Sequence, residues 1–337
     1  MRDKKQEILF IHGGRTGFIA RDVRYLEAIS SLKEIRVYSF FRPLAKMLEE
    51  CLRCKVVYCW FAGGHAVIPV ILSRVFLKRI VLVAGGYDVA SIPEIDYGLM
   101  RPGLRRWIAR MLFLLADRIV CVSEFNRQEA MRNAKIPVNK IRLIKHGFTD
   151  TSRTGTSTNK EALVLTVGEI DRWTLRRKGL LTFARASRYV PEVKWVMAGR
   201  IKDDSDRLLR EAGGENLSIL GFIDDEELVL LMRRAKVYVQ VSYHEAFGCS
   251  LAEAMIEECV PVVTNRGALA EVVGTLGFYV PLDNPSETAK AVSRALVSSP
   301  DLGRRCREHI KEKYSYNQWR EAMDELLTEI GVPPGNP

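Results

Sequence analysis

The sequence predicts an α/β protein of two domains, each a parallel sheet with helices on both faces. Three observations carry this. At 337 residues the chain has the length of two ordinary domains. Short apolar strand candidates alternate with helical segments through both halves. Between the halves, residues 149–160 (TDTSRTGTSTNK) are polar, rich in Ser, Thr and Gly, and read as a linker. The expected division is residues 1–150, a linker at 151–160, and residues 161–314. Hydrophobic content of 47% and charged content of 27% are globular values.

The first half opens with a strand at 8–11 and the loop His12-Gly13-Gly14-Arg15-Thr16-Gly17. A helix is expected from about Ala20. A glycine loop between first strand and first helix is where nucleotide-binding α/β folds approach phosphate, although this one is not GxGxxG. Further strands are expected at 35–40, 55–60, 79–83, 118–122 and 141–144. The apolar run 66–84 is broken by Arg74, Lys78 and Arg79, so it reads as helix then strand rather than a membrane span. Ala84-Gly85-Gly86-Tyr87-Asp88 follows a strand's carboxyl end, where such sheets bind ligands, so Asp88 is either a site residue or a helix cap. His65 follows another strand and is either structural or site-facing. Residues 101–117 form a helix candidate carrying Arg101, Arg105, Arg106 and Arg110 beside Trp107, Leu112 and Phe113. That pattern suits a membrane interface, or a core helix with a charged outer face.

In the second half, strands are expected at 163–167, 193–198, 217–220, 237–241 and 260–264. The densest signal is residues 244–274, HEAFGCSLAEAMIEECVPVVTNRGALAEVVG. Phe247-Gly248 forms a turn, and 250–258 has helical period, with Leu251, Ala254, Met255 and Cys259 on one face. The unit is strand, tight loop, helix, strand. Gly248 permits close backbone approach. Free N–H groups and the dipole at the helix start favour an anion. Ser250 is the expected N-cap, with Glu253 closing a capping box. Glu245 and Glu253 lie eight apart, about 12 Å if helical throughout. A ligand with hydroxyls at both ends and a diphosphate between them, such as a nucleotide-sugar, fits that spacing. The plainer reading is two solvated glutamates. Against it, Glu253 lies in an apolar context where an unpaired carboxylate is costly.

The string E-A-F-G-x-S-L-A-E-A-M, then P-V-V-T, then G-A-L-A-E-V-V-G, resembles the donor-site signature of retaining glycosyltransferases of the GT-B fold, particularly family 4. The resemblance is clear over residues 160–285 and weaker in the first half. It implies two Rossmann-like domains facing across a cleft, with a hinge that closes over substrate and excludes water. Glu245 would contact donor-sugar hydroxyls and Glu253 the ribose. Phe247, Gly248, Cys249, Ser250 and Leu251 would surround the diphosphate, and the Gly221-Phe222 loop the nucleobase. Gly13, Gly14 and Arg15 would line the cleft. Relatives show Gly-Arg, a short loop, then Lys-Gly. Here Lys178-Gly179 matches, but Glu169 stands where the arginine is usual, with Arg172 the expected substitute and Arg177 its rival. Such cations stabilise the departing diphosphate. Relatives often carry His near this point; here Gly86 stands there with Asp88 just after, so the acceptor-side polar group is left open, with Asp88 its candidate. His146-Gly147 stands where Asn-Gly is common. The final segment, about 315–337, would cross back to the first domain, anchored by Trp319.

The implied activity is hexosyl transfer with retention, from a UDP- or GDP-sugar to a glycan, lipid-carrier or small-molecule acceptor. The leaving phosphate assists same-face attack, so no enzymatic nucleophile is needed. Without an Asp-x-Asp motif in a convincing loop, no metal or cofactor is expected. The alternatives are a GT-B sugar-phosphate synthase or phosphorylase, and a non-catalytic nucleotide-sugar sensor or membrane-recruited scaffold. The chain lacks the long insertions of the former, and it retains Lys178, Glu245 and Glu253, whose loss would favour the latter.

Net charge is +10, unevenly spread. Residues 1–150 hold 26 Lys+Arg against 14 Asp+Glu, net +12, and residues 151–337 hold 25 against 27, net −2. The basic half is expected to face phospholipid or a phosphorylated carrier. No nucleic-acid motif accompanies it. Seven scattered cysteines, an odd count, suggest reduced thiols and a cytoplasmic setting. Cys51-x-x-Cys54 has no second pair to complete a zinc site. Residues 1–7 are charged and do not read as a signal peptide. The expectation is a cytoplasmic protein, peripheral at the inner membrane face.

Overall fold

A computed structural model describes residues 7–14, 17–36, 44–150 and 160–333. The chain divides into two units. One gathers residues up to His146 with those from Asn317 onward, and the other is Gly147–Tyr316.

In the first unit, β1 (Glu7–His12), β2 (Ser31–Arg36), β3 (Val56–Trp60), β4 (Arg79–Ala84), β5 (Arg118–Cys121) and β6 (Ile141–Leu143) form one parallel sheet. Its order is β2-β1-β3-β4-β5-β6. Helices α1 (Gly17–Ile29), α2 (Leu44–Arg53), α3 (Val67–Val75), α4 (Leu104–Leu115) and α5 (Glu124–Arg132) make the crossovers. The strands VVYCW and RIVLVA are buried except at Arg79. Parallel strands covered on both faces read as such unbroken apolar runs. Apolar residues of β1, β3, β4 and β5 meet Leu112 and Phe113 of α4 in the core.

The second unit repeats the plan with β7 (Glu161–Val167), β8 (Lys194–Ala198), β9 (Leu217–Gly221), β10 (Ala235–Gln240), β11 (Val260–Thr264) and β12 (Phe278–Val280). Their order is β12-β11-β10-β7-β8-β9, and every pairing is parallel. Helices α6 (Thr174–Arg177), α7 (Leu180–Ser187), α8 (Ser205–Ala212), α9 (Asp225–Arg234), α10 (Cys249–Ile256) and α11 (Leu269–Val273) connect them, and α12 (Pro285–Leu296) and α13 (Pro300–Lys313) follow the last strand. The chain runs outward from β7 to β9 and then returns to place β10 on β7's other side. The carboxyl ends of β7 and β10 therefore flank the switch point, where ligands of doubly wound sheets bind.

The last helix, α14 (Tyr316–Glu329), belongs to the first unit from Asn317 on. Its buried Trp319 lies edge-on to Tyr25, with centroids 5.2 Å apart, and under the Arg21 guanidinium at 4.1 Å.

The observed class is the expected one, two parallel-sheet α/β units. Some positions depart from expectation. The strand expected at 35–40 lies at Ser31–Arg36, because pairing Ile35 with Ile11 brings its apolar residue into the core; residues 37–40 lie outside the described residues. Most of the expected linker, 151–159, also lies outside them. Lys160, assigned to that linker, instead belongs to the second unit: its Nζ donates to the carbonyls of Met232 (3.0 Å) and Ala235 (2.9 Å). The 66–84 run is α3 followed by β4, and no helix among the described residues is long and apolar enough to cross a membrane. All seven cysteines are free thiols.

Candidate functional site

The second unit's switch point gathers its charges on two loops. One follows β7 and runs through α6 to Lys178-Gly179. Gly179 has φ of 66°, and a Cβ there would lie 2.2 Å from the Val241 carbonyl oxygen. Only glycine lets this loop lie against the end of β10. Tyr243 N–H then donates to the Arg177 carbonyl at 2.7 Å, fixing one loop to the other. The Lys178 stem passes over Gly168, where a Cβ would stand 2.8 Å from Lys178 Cδ. The second loop follows β10 and carries Glu245. Gly267 closes on it from behind, since a Cβ there would lie 2.4 Å from the Glu245 carbonyl oxygen.

These constraints bring Lys178 Nζ to 3.8 Å and an Arg177 guanidinium nitrogen to 3.9 Å from Glu245 Oε1. Ser242 Oγ donates to the same oxygen at 3.1 Å. Burial is the largest single influence on the Glu245 carboxyl and pushes it up. Lys178, Arg177, His244 and Gln240 together outweigh burial and hold it below the usual carboxylate range. Glu245 is therefore ionised at neutral pH, an acceptor for ligand hydroxyls flanked by two cations. Immediately downstream, Gly248 takes a left-handed conformation (φ 99°, ψ 56°) and α10 begins at Cys249. The helix's first N–H groups thus open beside the Glu245 cluster.

Two polar groups beneath this loop escaped the sequence reading. Tyr238 and Gln240 share a face of β10, opposite the core-facing Val237, Val239 and Val241. The fully buried Tyr238 hydroxyl lies toward Ser250 and the Val167 main chain but closes a hydrogen bond to neither. Gln240 Oε1 is likewise buried without a partner among the described residues. The alternation of KVYVQV was the available signal, since it puts Tyr and Gln together on the face opposite the valines.

Several expected site residues take other places. Ser250 is not the N-cap: Gly248, two residues earlier, is, with no side-chain cap bond, and the helix starts at Cys249. Glu253 is on the exposed face of α10, not in apolar surroundings. Leu251 is buried, while Cys249 and Ser250 are half-buried. The Phe247 ring turns inward, stacked on Phe148 at 5.8 Å and edge-on to Tyr314 at 5.2 Å, so it anchors the turn. Arg172 is not the arginine beside Lys178. It is exposed, its N–H donates to Asp203 at 3.0 Å, and its guanidinium stacks on Trp173 at 4.9 Å. Arg177 occupies the expected place. Phe222 is exposed after β9, with Arg200 5.2 Å from its ring centroid.

In the first unit, Gly13 and Gly14 form the bend after β1, with open space where a Cβ would stand. Arg15 lies outside the described residues. Asp88 does not face solvent. It is fully buried and accepts from the N–H groups of Ala62 and Gly86, each at 3.0 Å, tying the loops after β3 and β4 together. Burial pushes its carboxyl up to about 6 against those amides. His65 bonds the Trp60 carbonyl at 2.7 Å. His146 is buried, stacked parallel to Trp60 and in contact with Arg21 at 3.1 Å; burial, then Arg21, holds it well below the usual histidine range. Among the described residues no group of three or more His, Cys, Asp or Glu is placed to hold a metal ion.

Comparison with known proteins agrees with this geometry. Residues 148–313 match the family model for glycosyl transferases group 1, and residues 6–152 that for glycosyltransferase family 4. Among curated proteins, the chain is 25% identical over 256 residues to the GDP-mannose:cellobiosyl-diphosphopolyprenol alpha-mannosyltransferase of Xanthomonas oryzae. That match covers 67% of this chain and 62% of the relative. Among solved structures, the Anabaena protein HepE in complex with UDP and glucose superposes with a TM-score of 0.78 at 16% identity, over 96% of this chain and all (100%) of that one. The sucrose-phosphate synthase of Thermosynechococcus elongatus gives 0.76 at 18%, over 97% and 99%. At such identities these structures speak to the fold, which is theirs. With one family model on each half, the chain belongs to the family 4, group 1 glycosyltransferases.

Proposed function

We propose that this protein is a metal-independent, retaining hexosyltransferase that moves a sugar from a UDP- or GDP-sugar to a hydroxyl of a glycan, lipid-linked or small-molecule acceptor. The observation that carries the proposal is the Glu245–Lys178–Arg177 cluster at the switch point, directly before the start of α10. An ionised, largely enclosed carboxylate suits sugar hydroxyls, which donate to it. The two cations suit a diphosphate, which gains charge as the glycosidic bond breaks, and fixed positive groups lower that barrier. The first N–H groups of α10 add to them. Glu253, one turn further on, is assigned to the ribose.

The donor base is left as a pair because the relatives differ. One is named for GDP-mannose, and another was crystallised with UDP. Retention follows from the family resemblance: the acceptor oxygen attacks from the face the phosphate leaves, and its proton passes to a phosphate oxygen.

The test is transfer from UDP-glucose and GDP-mannose in the presence of EDTA, with the product anomer read by NMR. We expect turnover and an α-linked product from an α-linked donor. A β product removes retention, and loss of turnover in EDTA removes metal independence. Tight donor binding with neither transfer nor hydrolysis would instead support a non-catalytic nucleotide-sugar sensor.

A further inference from the structure

Helix α4 of the first unit is apolar on two sides. Ala109, Leu112 and Phe113 point into the core. On the opposite side, Leu104 (74% exposed), Trp107 (59%), Met111 and Leu114 (62%) recur at helical spacing along its full length. A helix that has already buried one apolar face rarely exposes a second without something to cover it.

The neighbouring α3 extends the stripe. The two helices pack together, with Ile68 and Leu72 of α3 and Ile108 and Leu115 of α4 against the shared core. Val75 and Leu77, at the end of α3, are 68% and 88% exposed. Asp117, just past α4, pairs with Arg74 and Arg79, each at 3.6 Å, and so holds the end of α4 beside the end of α3.

The border of this stripe is cationic. Arg105 and Arg106 lie on α4, and neither α3 nor α4 contains an acid; Arg74 is held by Asp117, and Arg110 donates to the Asn133 carbonyl at 2.7 Å. The Arg106 and Arg110 guanidinium carbons stand 5.4 and 5.5 Å from the Trp107 ring centroid, around the aromatic rather than away from it. Leucines for the acyl boundary, a tryptophan for the headgroup layer and arginines for phosphate form the pattern of an interfacial helix on an anionic bilayer. A nucleic acid would be met by cations without the exposed aliphatic stripe. An ordinary protein partner would not require two helices without an acid.

We propose that the α3–α4 face docks in the plane of an anionic phospholipid surface, with Leu104, Trp107 and Leu114 at the headgroup–acyl boundary and Arg105 and Arg106 on lipid phosphates. This docking stands apart from the donor site: nucleotide binding can fail with docking intact, and the reverse.

The experiment is co-sedimentation of the full chain with vesicles of phosphatidylcholine, alone or in equimolar mixture with phosphatidylglycerol. Wild-type protein should partition onto the mixed vesicles, weakly onto phosphatidylcholine alone, and less as salt rises past about 0.15 M, where the Debye length is about 8 Å. The double variant Leu104→Ser/Trp107→Ser should bind at least about tenfold more weakly. The single variant Arg105→Glu should lose several-fold, most at low salt. All three side chains are exposed, and unchanged circular dichroism and thermal midpoint will show that the variants fold. No partition of the wild type, or equal partition of the folded variants, overturns the proposal. So does a wild-type dimer that the double variant converts to a monomer without any lipid binding, because a second copy then covers this face.

Discussion

Glu245 and Asp88 are both enclosed carboxylates, and their partners set them apart. Glu245 has two cations and a hydroxyl within reach, and it is held in the charged form. Asp88 has only main-chain amides, and burial raises it to about 6. The sequence reading put both in the reaction; the structure sets Glu245 between two cations at the switch point and makes Asp88 a tie between two loops. Removing the tie leaves two buried N–H groups without an acceptor, which costs about 1–3 kcal/mol. We therefore expect Asp88→Ala to lower the unfolding free energy measured in urea by that amount while leaving nucleoside diphosphate affinity unchanged; a folded, equally stable variant that cannot transfer would return Asp88 to the reaction. The linkage has a definite sign. A carboxyl raised in the folded state contributes stability that is full below its unfolded value of about 3.9 and is lost as pH rises through about 6. Asp88→Ala should flatten that part of the stability profile. Glu245 and Lys178 were legible because their neighbours in sequence, Phe247-Gly248 and Gly179, are motif residues. Arg177 was only the rival to Arg172: the choice depends on how α6 turns the loop, and four residues of helix leave too faint a pattern to read.

Strands were the most legible elements and helix starts the least. Buried parallel strands such as VVYCW and VPVVT announce themselves by composition alone. The start of α10 did not, because Ser250 and Glu253 satisfy a capping-box pattern while the left-handed Gly248 begins the helix one residue before Ser250. Strand β2 was misplaced by a similar ambiguity: SLKEIR is an edge strand with one buried residue, and the apolar stretch after it looked stronger. At the joint between α6 and α7 a glycine is hard to replace. Gly179→Ala would add a left-handed cost of about 1–2 kcal/mol to a collision with the Val241 carbonyl. We expect a lower thermal midpoint for the second unit together with weaker nucleotide binding, because Lys178 precedes the displaced residue. An alanine variant with wild-type stability and affinity would contradict this reading of the joint.

Both units repeat one architecture, yet the first is completed by the far end of the chain. Glu329 of α14 pairs with Arg118 and Arg142 on β5 and β6. These bonds hold its carboxyl at about 2. A carboxyl lowered in this way contributes stability above its unfolded value of about 4.3, and that stability is lost as pH falls toward 2. The group is partly exposed, so the contribution is about 1 kcal/mol or less after screening. Glu329→Gln should cost that much at pH 7 and nothing near pH 2; an equal cost at both would mean the pairs do not matter. That the last helix returns to the first unit was expected from the family resemblance alone, because nothing in YNQWREAMDELLTE names its partner.

The proposed function puts an activated sugar at the start of α10, gripped by Glu245 and Lys178. Calorimetric titration of UDP and GDP into the wild type, Lys178→Ala and Glu253→Gln decides it. We expect one of the two nucleotides to bind the wild type, and each substitution to weaken it at least about tenfold, the loss of one charge-assisted contact of about 1.5–3 kcal/mol. If neither nucleotide binds, or if both variants bind as tightly as the wild type, the donor does not lie there.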